Sequence, residues 1–395
     1  GPNRAVRRCW LARGVDGHRF ASGGGLMLAA FYDGATDGVT VANVDLAIDS
    51  LGPRDVRVDL GATGVCHSDL SALHGTFGPL HNPTVMGHEG AGTVVETGSA
   101  VTRVRVGDRV ITTFIPACGE CFHCVRDQSN LCELSATLRA QDIGRFLTKN
   151  GAARAFANLG TFAEQIIVHE ASVVAVRTDL PDEQLALIGC GVTTGVCAAL
   201  NTASVKAGST VAVFGCGGVG IATIQGAAIA GAARILAVDP VEFKRESALR
   251  VGATDGIDPS TGDVVDQIHD LTEGRGVDYA FEAVGLPSTV LQATAATRLG
   301  GTTVLIGAGK PGDTVTFDLF ALHREKRLLG CGYGSAQVRR DIPRLVALAE
   351  SKRLDLATMV SKTLTIAEVN TAFDLMSSGE VIRSVLRTTG LSANA

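Results

Sequence analysis

Aromatic side chains are scarce in this chain: 3 Tyr, 1 Trp and 14 Phe are 5% of 395 residues. Positive charge is not in excess either, because 35 Lys and Arg face 40 Asp and Glu, a formal net charge of −5. A nucleic-acid surface needs clustered basic residues with stacking aromatics, so that class is excluded, zinc-ribbon DNA binders included. The chain has neither internal repeats nor a low-complexity linker. One long run, 207 to 233, carries no charge at all. Its seven glycines and strand–turn–helix pattern argue against a membrane span. Acids are nearly missing from residues 1–26, which hold the one Trp, Trp10. The Gly-Pro start reads as a tag scar or start artefact, with Met27 a natural beginning and a basic targeting peptide the alternative.

What is abundant is glycine, 48 residues, fitting tight turns and close backbone approaches. Length allows two or three domains with ample core. From 27 to 191, short β-like runs such as "DVRVDLG" and "GTVVETG" predict a compact, mostly antiparallel β domain. From 192 to 332, strands and helices alternate, the mark of a parallel sheet with right-handed crossovers. The tail, 333–395, reads as two helical stretches and a short strand.

Four of the ten cysteines crowd into "CGECFHCVRDQSNLC", at 118, 121, 124 and 132. Disulfides between neighbours two residues apart rarely reach good geometry. A ladder of that step instead wraps a tetrahedral ion, with zinc favoured and an iron–sulfur centre the alternative. His123 lies inside the ladder but is surplus to a filled tetrahedron. A closed set of Cys118, Cys121, Cys124 and Cys132 leaves no open position, so the expected role is structural. Thiolate ligands also imply a reducing, intracellular compartment.

A second set suits catalysis. Cys66 and Asp69 stand in "GVCHSD", His88 and Glu89 in "GHEG", and Cys190 in "LIGCGV". One histidine and two cysteines give three protein ligands and one open position, an arrangement that alcohol dehydrogenase itself exemplifies. Further on, "VAVFGCGGVG" sets Gly215, Gly217 and Gly220 between an apolar strand and an uncharged helix, with Gly218 and Val219 in the same turn. That is the dinucleotide-binding pattern: a tight turn, backbone approach to a pyrophosphate, and close helix packing. Asp239, ending the next strand, is placed to bond ribose hydroxyls and repel a 2′-phosphate, favouring NAD over NADP. Lys244 and Arg245 nearby weigh the other way.

Taken in order, "GVCHSD", "GHEGAGTVVETG", the four-cysteine loop, "GCGVTTG" and "GCGGVG" resemble the zinc-dependent medium-chain alcohol dehydrogenases, across roughly residues 28–390. The resemblance implies a Rossmann-type doubly wound sheet beside a mostly β GroES-like catalytic domain with a zinc-binding lobe. It implies two zinc ions per chain, a catalytic one on Cys66, His88 and Cys190 and a structural one on the four-cysteine loop. Asp69 would orient His88, and Glu89 would stand behind the metal. Ser68 would take the alcohol proton, with His67, Lys244 and Arg383 on the cofactor side and Phe77 and Phe114 lining an apolar pocket. The implied activity is reversible oxidation of a primary or allylic alcohol by NAD in a cytoplasmic homodimer, with a homotetramer as the alternative. A thiol-adduct formaldehyde dehydrogenase and an enzyme with tightly held, externally recycled NAD are the neighbouring readings. A non-catalytic zinc- and nucleotide-binding protein is the reading from another class. The expected partner is a small alcohol or aldehyde, with no nucleic acid or membrane. One position departs from the commoner pattern: Ser71 stands where many relatives carry a proton-relaying histidine.

Overall fold

The computed structural model describes residues 26–34, 38–47, 51–141 and 145–388. The expected extension, Trp10 with it, lies outside the described residues except Leu26. Alternation builds the first half. In Asp55–Val65, Val56, Val58, Leu60 and Ala62 are buried at every second position while Arg57 and Asp59 between them are half-buried. This strand is central to a seven-stranded sheet, pairing antiparallel with Glu89–Thr97, Gln165–His169 and Arg383–Arg387. Five shorter strands, among them Met27–Tyr32, Thr84–Val85 and Gly151–Ala155, close a barrel beside it. The mostly antiparallel β expectation matches this half.

The second half is a six-stranded parallel sheet. Its spatial order is Asp255–Ile257, Arg234–Val238, Thr210–Phe214, Val277–Glu282, Thr297–Leu305, Arg327–Gly330. The chain therefore reverses direction of growth at Thr210–Phe214, and ligands of such sheets bind outside the strand ends at that reversal. The uncharged run at 207–233 resolves into the strand Thr210–Phe214 and the helix Gly218–Ile229.

A helix that sequence patterning did not single out joins the halves. Asp182–Thr202 runs through the 191/192 position, so a packed helix rather than a linker connects the two sheets. Among the described residues it is the one helix long and apolar enough to cross a membrane, yet 78% of its apolar window is buried inside the fold. Its apolar surface is core. The tail then returns: Val360–Thr365 and Arg383–Arg387 pair with each other and extend the first sheet. The register Ser384↔Val65 sets Arg383 next to Cys66.

Candidate metal and cofactor site

Cys66 follows the central strand and stands at the N-cap of the short helix His67–Leu73. Its backbone N–H donates to Asp69 Oδ2 at 3.0 Å, and Asp69 Oδ1 lies 2.9 Å from His88 Nδ1. Asp69 is fully buried, so one carboxylate fixes both the loop and the imidazole. His88 is further held between the edges of Phe114 and Phe156, with ring centres 5.8 and 5.6 Å away. Cys190 arrives from the joining helix, in a π-helical turn, Ile188–Val192. Such turns recur at functional sites because they re-aim one side chain. Gly189 beside it has no room for a side chain: a Cβ would lie 2.9 Å from the Thr112 carbonyl oxygen.

Ligand atoms of Cys66, His88, Glu89 and Cys190 all fall within 4.8 Å of one another, and all four residues are buried. The sulfur–imidazole chemistry fits zinc. The Cys190 thiol hydrogen-bonded to Cys66 lowers the Cys66 pKa well below its ordinary value, burial opposing and Arg383 and His88 assisting. That same pairing pushes Cys190 well up. Burial alone would lower His88, but the Asp69 charge and hydrogen bond raise it well above the usual range. Glu89 is the odd member. Burial raises it to about 7 against the pull of Arg383. Its Oε1 accepts from the Gly191 N–H at 3.1 Å and its Oε2 accepts from Arg383 Nη2. It therefore stands behind the other three as a braced carboxylate.

Arg383 reaches onward to the cofactor side. A Cβ on Gly218 would lie 2.3 Å from the Arg383 Cδ, so this glycine admits the arginine. Gly215 has φ +89°, a conformation that glycine adopts without strain, and a Cβ on Gly220 would strike the Gly215 carbonyl at 1.8 Å. Gly217 is different, for a Cβ there meets nothing within 4 Å. That open face at the N-terminus of Gly218–Ile229 is a cradle for a pyrophosphate, which fits a dinucleotide. Val219 occupies the first turn of the same helix. Asp239 is held by the Cys216 N–H at 2.8 Å and the Val241 N–H at 2.9 Å. Arg245 is engaged elsewhere, 3.0 Å from Asp258 and donating to the Asp239 carbonyl. Desolvation, then the charges of Lys244 and Arg383, hold His67 below its ordinary pKa against the Cys66 thiolate.

A cavity of about 600 Å³ opens onto Cys190 and His88 and is lined by Ser68, Phe77, Phe114 and Phe156. Phe77 and Phe114, the two expected pocket residues, thus lie on the same cavity. Phe156 and Tyr333 escaped sequence reasoning. Tyr333 is buried, packs 4.4 Å from Phe114 and donates to the Gly189 carbonyl at 2.5 Å, bracing the Cys190 turn. Nothing local in the sequence marks either residue.

The four-cysteine loop is separate. Sγ atoms of Cys118 and Cys124 are 3.8 Å apart, and those of Cys121 and Cys132 4.0 Å. Thiolates about 2.3 Å from one zinc sit about 3.8 Å from each other, so the loop has the shape for that ion. Backbone N–H groups of Glu120 and Cys121 donate to the Cys118 sulfur, and that of Cys118 to the Cys132 sulfur. His123 turns to Gln128 instead, at 3.2 Å. The loop is tied to the segment after the parallel sheet by Asn130 to the Gly332 carbonyl and Gln337 to the Asp127 carbonyl.

Comparison with known proteins adds the family. The alcohol dehydrogenase GroES-like domain matches residues 52–182, and the zinc-binding dehydrogenase domain matches 218–351. A Mycobacterium tuberculosis protein, named provisionally as alcohol dehydrogenase D, is 38% identical over 352 residues, covering 87% of this chain and 95% of its own. An alcohol dehydrogenase zinc-binding domain protein from Burkholderia ambifaria is 32% identical, with TM-score 0.87 over 93% of this chain and all of that one. Benzyl alcohol dehydrogenase from Acinetobacter calcoaceticus is 29% identical, with TM-score 0.83 over 92% and 99%. A Sinorhizobium meliloti zinc-binding dehydrogenase bound to NADP is 32% identical, with TM-score 0.74 over 92% and 99%. On these matches and this fold, the chain belongs to the zinc-dependent medium-chain alcohol dehydrogenase family.

Proposed function

We propose that this chain is an NAD-linked zinc alcohol dehydrogenase that interconverts a primary or allylic alcohol and its aldehyde. One observation carries the reading: Cys66, His88 and Cys190 converge on a cavity that Ser68 also lines, with Arg383 running from their rear to the glycine-rich turn. When bound, zinc on those three residues supplies a Lewis acid and NAD a hydride acceptor. Ser68 Oγ takes the hydroxyl proton of the substrate. Asp69 keeps the His88 ring in one orientation, as outer carboxylates do at such centres. Phe77, Phe114 and Phe156 exclude water around the carbon that reacts.

Lys244 and Arg383 supply positive charge on the cofactor side, His67, its pKa held down, offers a neutral ring N–H there, and the cradle at Gly217 receives the pyrophosphate. Asp239 favours NAD, supported by the engagement of Arg245 with Asp258. The benzyl alcohol dehydrogenase of similar fold supports a primary alcohol as substrate. The four-cysteine loop holds a structural zinc, supported by its sulfur spacing. A cytoplasmic homodimer completes the proposal. Reduced thiols support the compartment, and Leu299, Leu319 and Phe320, exposed near the edge strand Arg327–Gly330, support the association.

The test is a screen of primary alcohols and aldehydes on zinc-loaded protein. It is run with NAD and with NADP, and with and without an artificial electron acceptor. NAD reduction by at least one primary alcohol is expected. An absence of turnover in every combination overturns the reading.

A further inference from the structure

The cavity lining is chemically mixed. Around Cys190 and His88 it is walled by Phe114 and Phe156, but its lining also holds Arg139, Arg154 and His81. Among the described residues that line it there is no Asp or Glu. Two guanidinium groups lining one cavity with no described carboxylate among them favour an anion that comes in from outside.

Arg154 makes the case. Its backbone is fixed in the barrel strand Gly151–Ala155, in register with Thr84 and donating to the Pro83 carbonyl at 3.0 Å. Its guanidinium makes no hydrogen bond and no ion pair among the described residues. Unpartnered arginines are ordinary on open surface, but this one is partly buried in a concave wall. Arg139, on the helix Leu134–Ala140, uses Nε and Nη2 on the carbonyl and hydroxyl of Ser135, at 3.4 and 3.3 Å. Its Nη1 has no partner among the described residues. The same lining includes Phe156–Asn158, where Ala157 and Asn158 hold φ of 54° and 61°. Backbone strain of this sort, about 1–3 kcal/mol per residue, persists where the surroundings over-determine it, commonly at ligand clamps.

We propose that the substrate carries a carboxylate at the end remote from its hydroxyl, held by Arg154 and Arg139, with an apolar span between. The inference rests on the alcohol dehydrogenase reading for the reacting end. The planar fork of an arginine pairs with a carboxylate through two parallel hydrogen bonds, which an ammonium cannot do. Such a carboxylate belongs either to a simple hydroxy acid or to a carboxylate-bearing thiol adduct.

The experiment compares kcat/KM for 4-(hydroxymethyl)benzoate and S-hydroxymethylglutathione with that for benzyl alcohol and 4-methylbenzyl alcohol. Wild type is expected to favour one carboxylate substrate by about 10- to 100-fold, chiefly through KM, and to lose preference as salt rises. Whichever substrate is favoured identifies the source. In Arg154→Gln the ratio of carboxylate to neutral kcat/KM should collapse toward one, with partial recovery in Arg154→Lys. Equal or better use of the neutral alcohols by wild type overturns the proposal, as does an unchanged ratio in Arg154→Gln. Calorimetry with benzoate and benzamide on zinc-loaded protein separates the two readings. Benzoate binding that Arg154→Gln abolishes, without turnover of any alcohol, upholds the anion site and refutes the dehydrogenase reading. Turnover with equal binding of benzoate and benzamide does the reverse.

Discussion

At the scale of single residues, the proton path sets the sharpest expectation. Ser68 is the hydroxyl nearest in sequence to the Cys66 ligand position and lines the cavity. Ser68→Ala should lower turnover by about 10²–10⁴-fold with zinc content unchanged, read by single-turnover hydride transfer. Ser71 lacks a useful pKa for storing a proton, so its loss should matter far less. Ser71→His should raise turnover near pH 6–7 by adding a base with a pKa of about 6.5. Asp239 sets a second expectation. Asp239→Ser should raise the NADP-to-NAD ratio of kcat/KM by about 10- to 100-fold, since charged hydrogen bonds to the ribose and repulsion of a 2′-phosphate are lost together. A wild type that already prefers NADP would refute the cofactor assignment. These residues were legible because ligand types and spacings are local signals. Phe156 and Tyr333 were not, because an aromatic ring acquires its role here only through partners far away in sequence: His88 for Phe156, Phe114 and Gly189 for Tyr333.

At the scale of elements, strands could be read directly: Asp55–Val65 from the period-two burial through its middle, and Thr210–Phe214 from a short, continuously buried apolar run. The joining helix could not. Asp182–Thr202 is apolar on nearly every face, so it shows no helical stripe, and its glycines at 189, 191 and 195 read as turns. Its helical form follows from tertiary burial on both sides. Loops depend instead on single polar anchors. Glu170, fully buried after the strand Gln165–His169, accepts from the N–H groups of Thr102 and Arg103 at 2.8 and 3.0 Å and from Arg54 at 2.8 Å. Burial pushes its pKa up, but these donors prevail and hold it below the ordinary value. A depressed native pKa means stability that is full above the unfolded pKa of about 4.3 and lost as pH falls through the native one. Glu170→Ala should therefore cost about 2–3 kcal/mol at pH 7 in urea unfolding, with the gap to wild type narrowing below about pH 4.

At the scale of the whole molecule, the two sulfur clusters tie together different parts of the chain, and this predicts how the protein comes apart. Cys66, His88 and Cys190 sit just after the central strand, just before Glu89–Thr97 and on the joining helix, each next to backbone pairing or inside core packing. Zinc lost from this site should leave the sheets intact. The four-cysteine loop has little regular structure of its own, short 3₁₀ turns at Cys124–Arg126 and Ser129–Leu131, and few apolar contacts. Its shape would depend on a bound ion, and its bonds to Gly332, Ala336 and Gln337 connect the β half to the segment leaving the parallel sheet. Carefully prepared protein should hold two zinc ions per chain. A mild chelator should remove the one with an exchangeable position first, abolishing turnover while circular dichroism and melting temperature change little. A stronger chelator, or Cys121→Ser, should release the second and lower the melting temperature by several degrees, because the tie between halves is lost. Metal analysis alongside each melting curve tests the order. One zinc or none in the starting protein, or simultaneous loss of both with activity, would show that the two sites do not divide the work in this way.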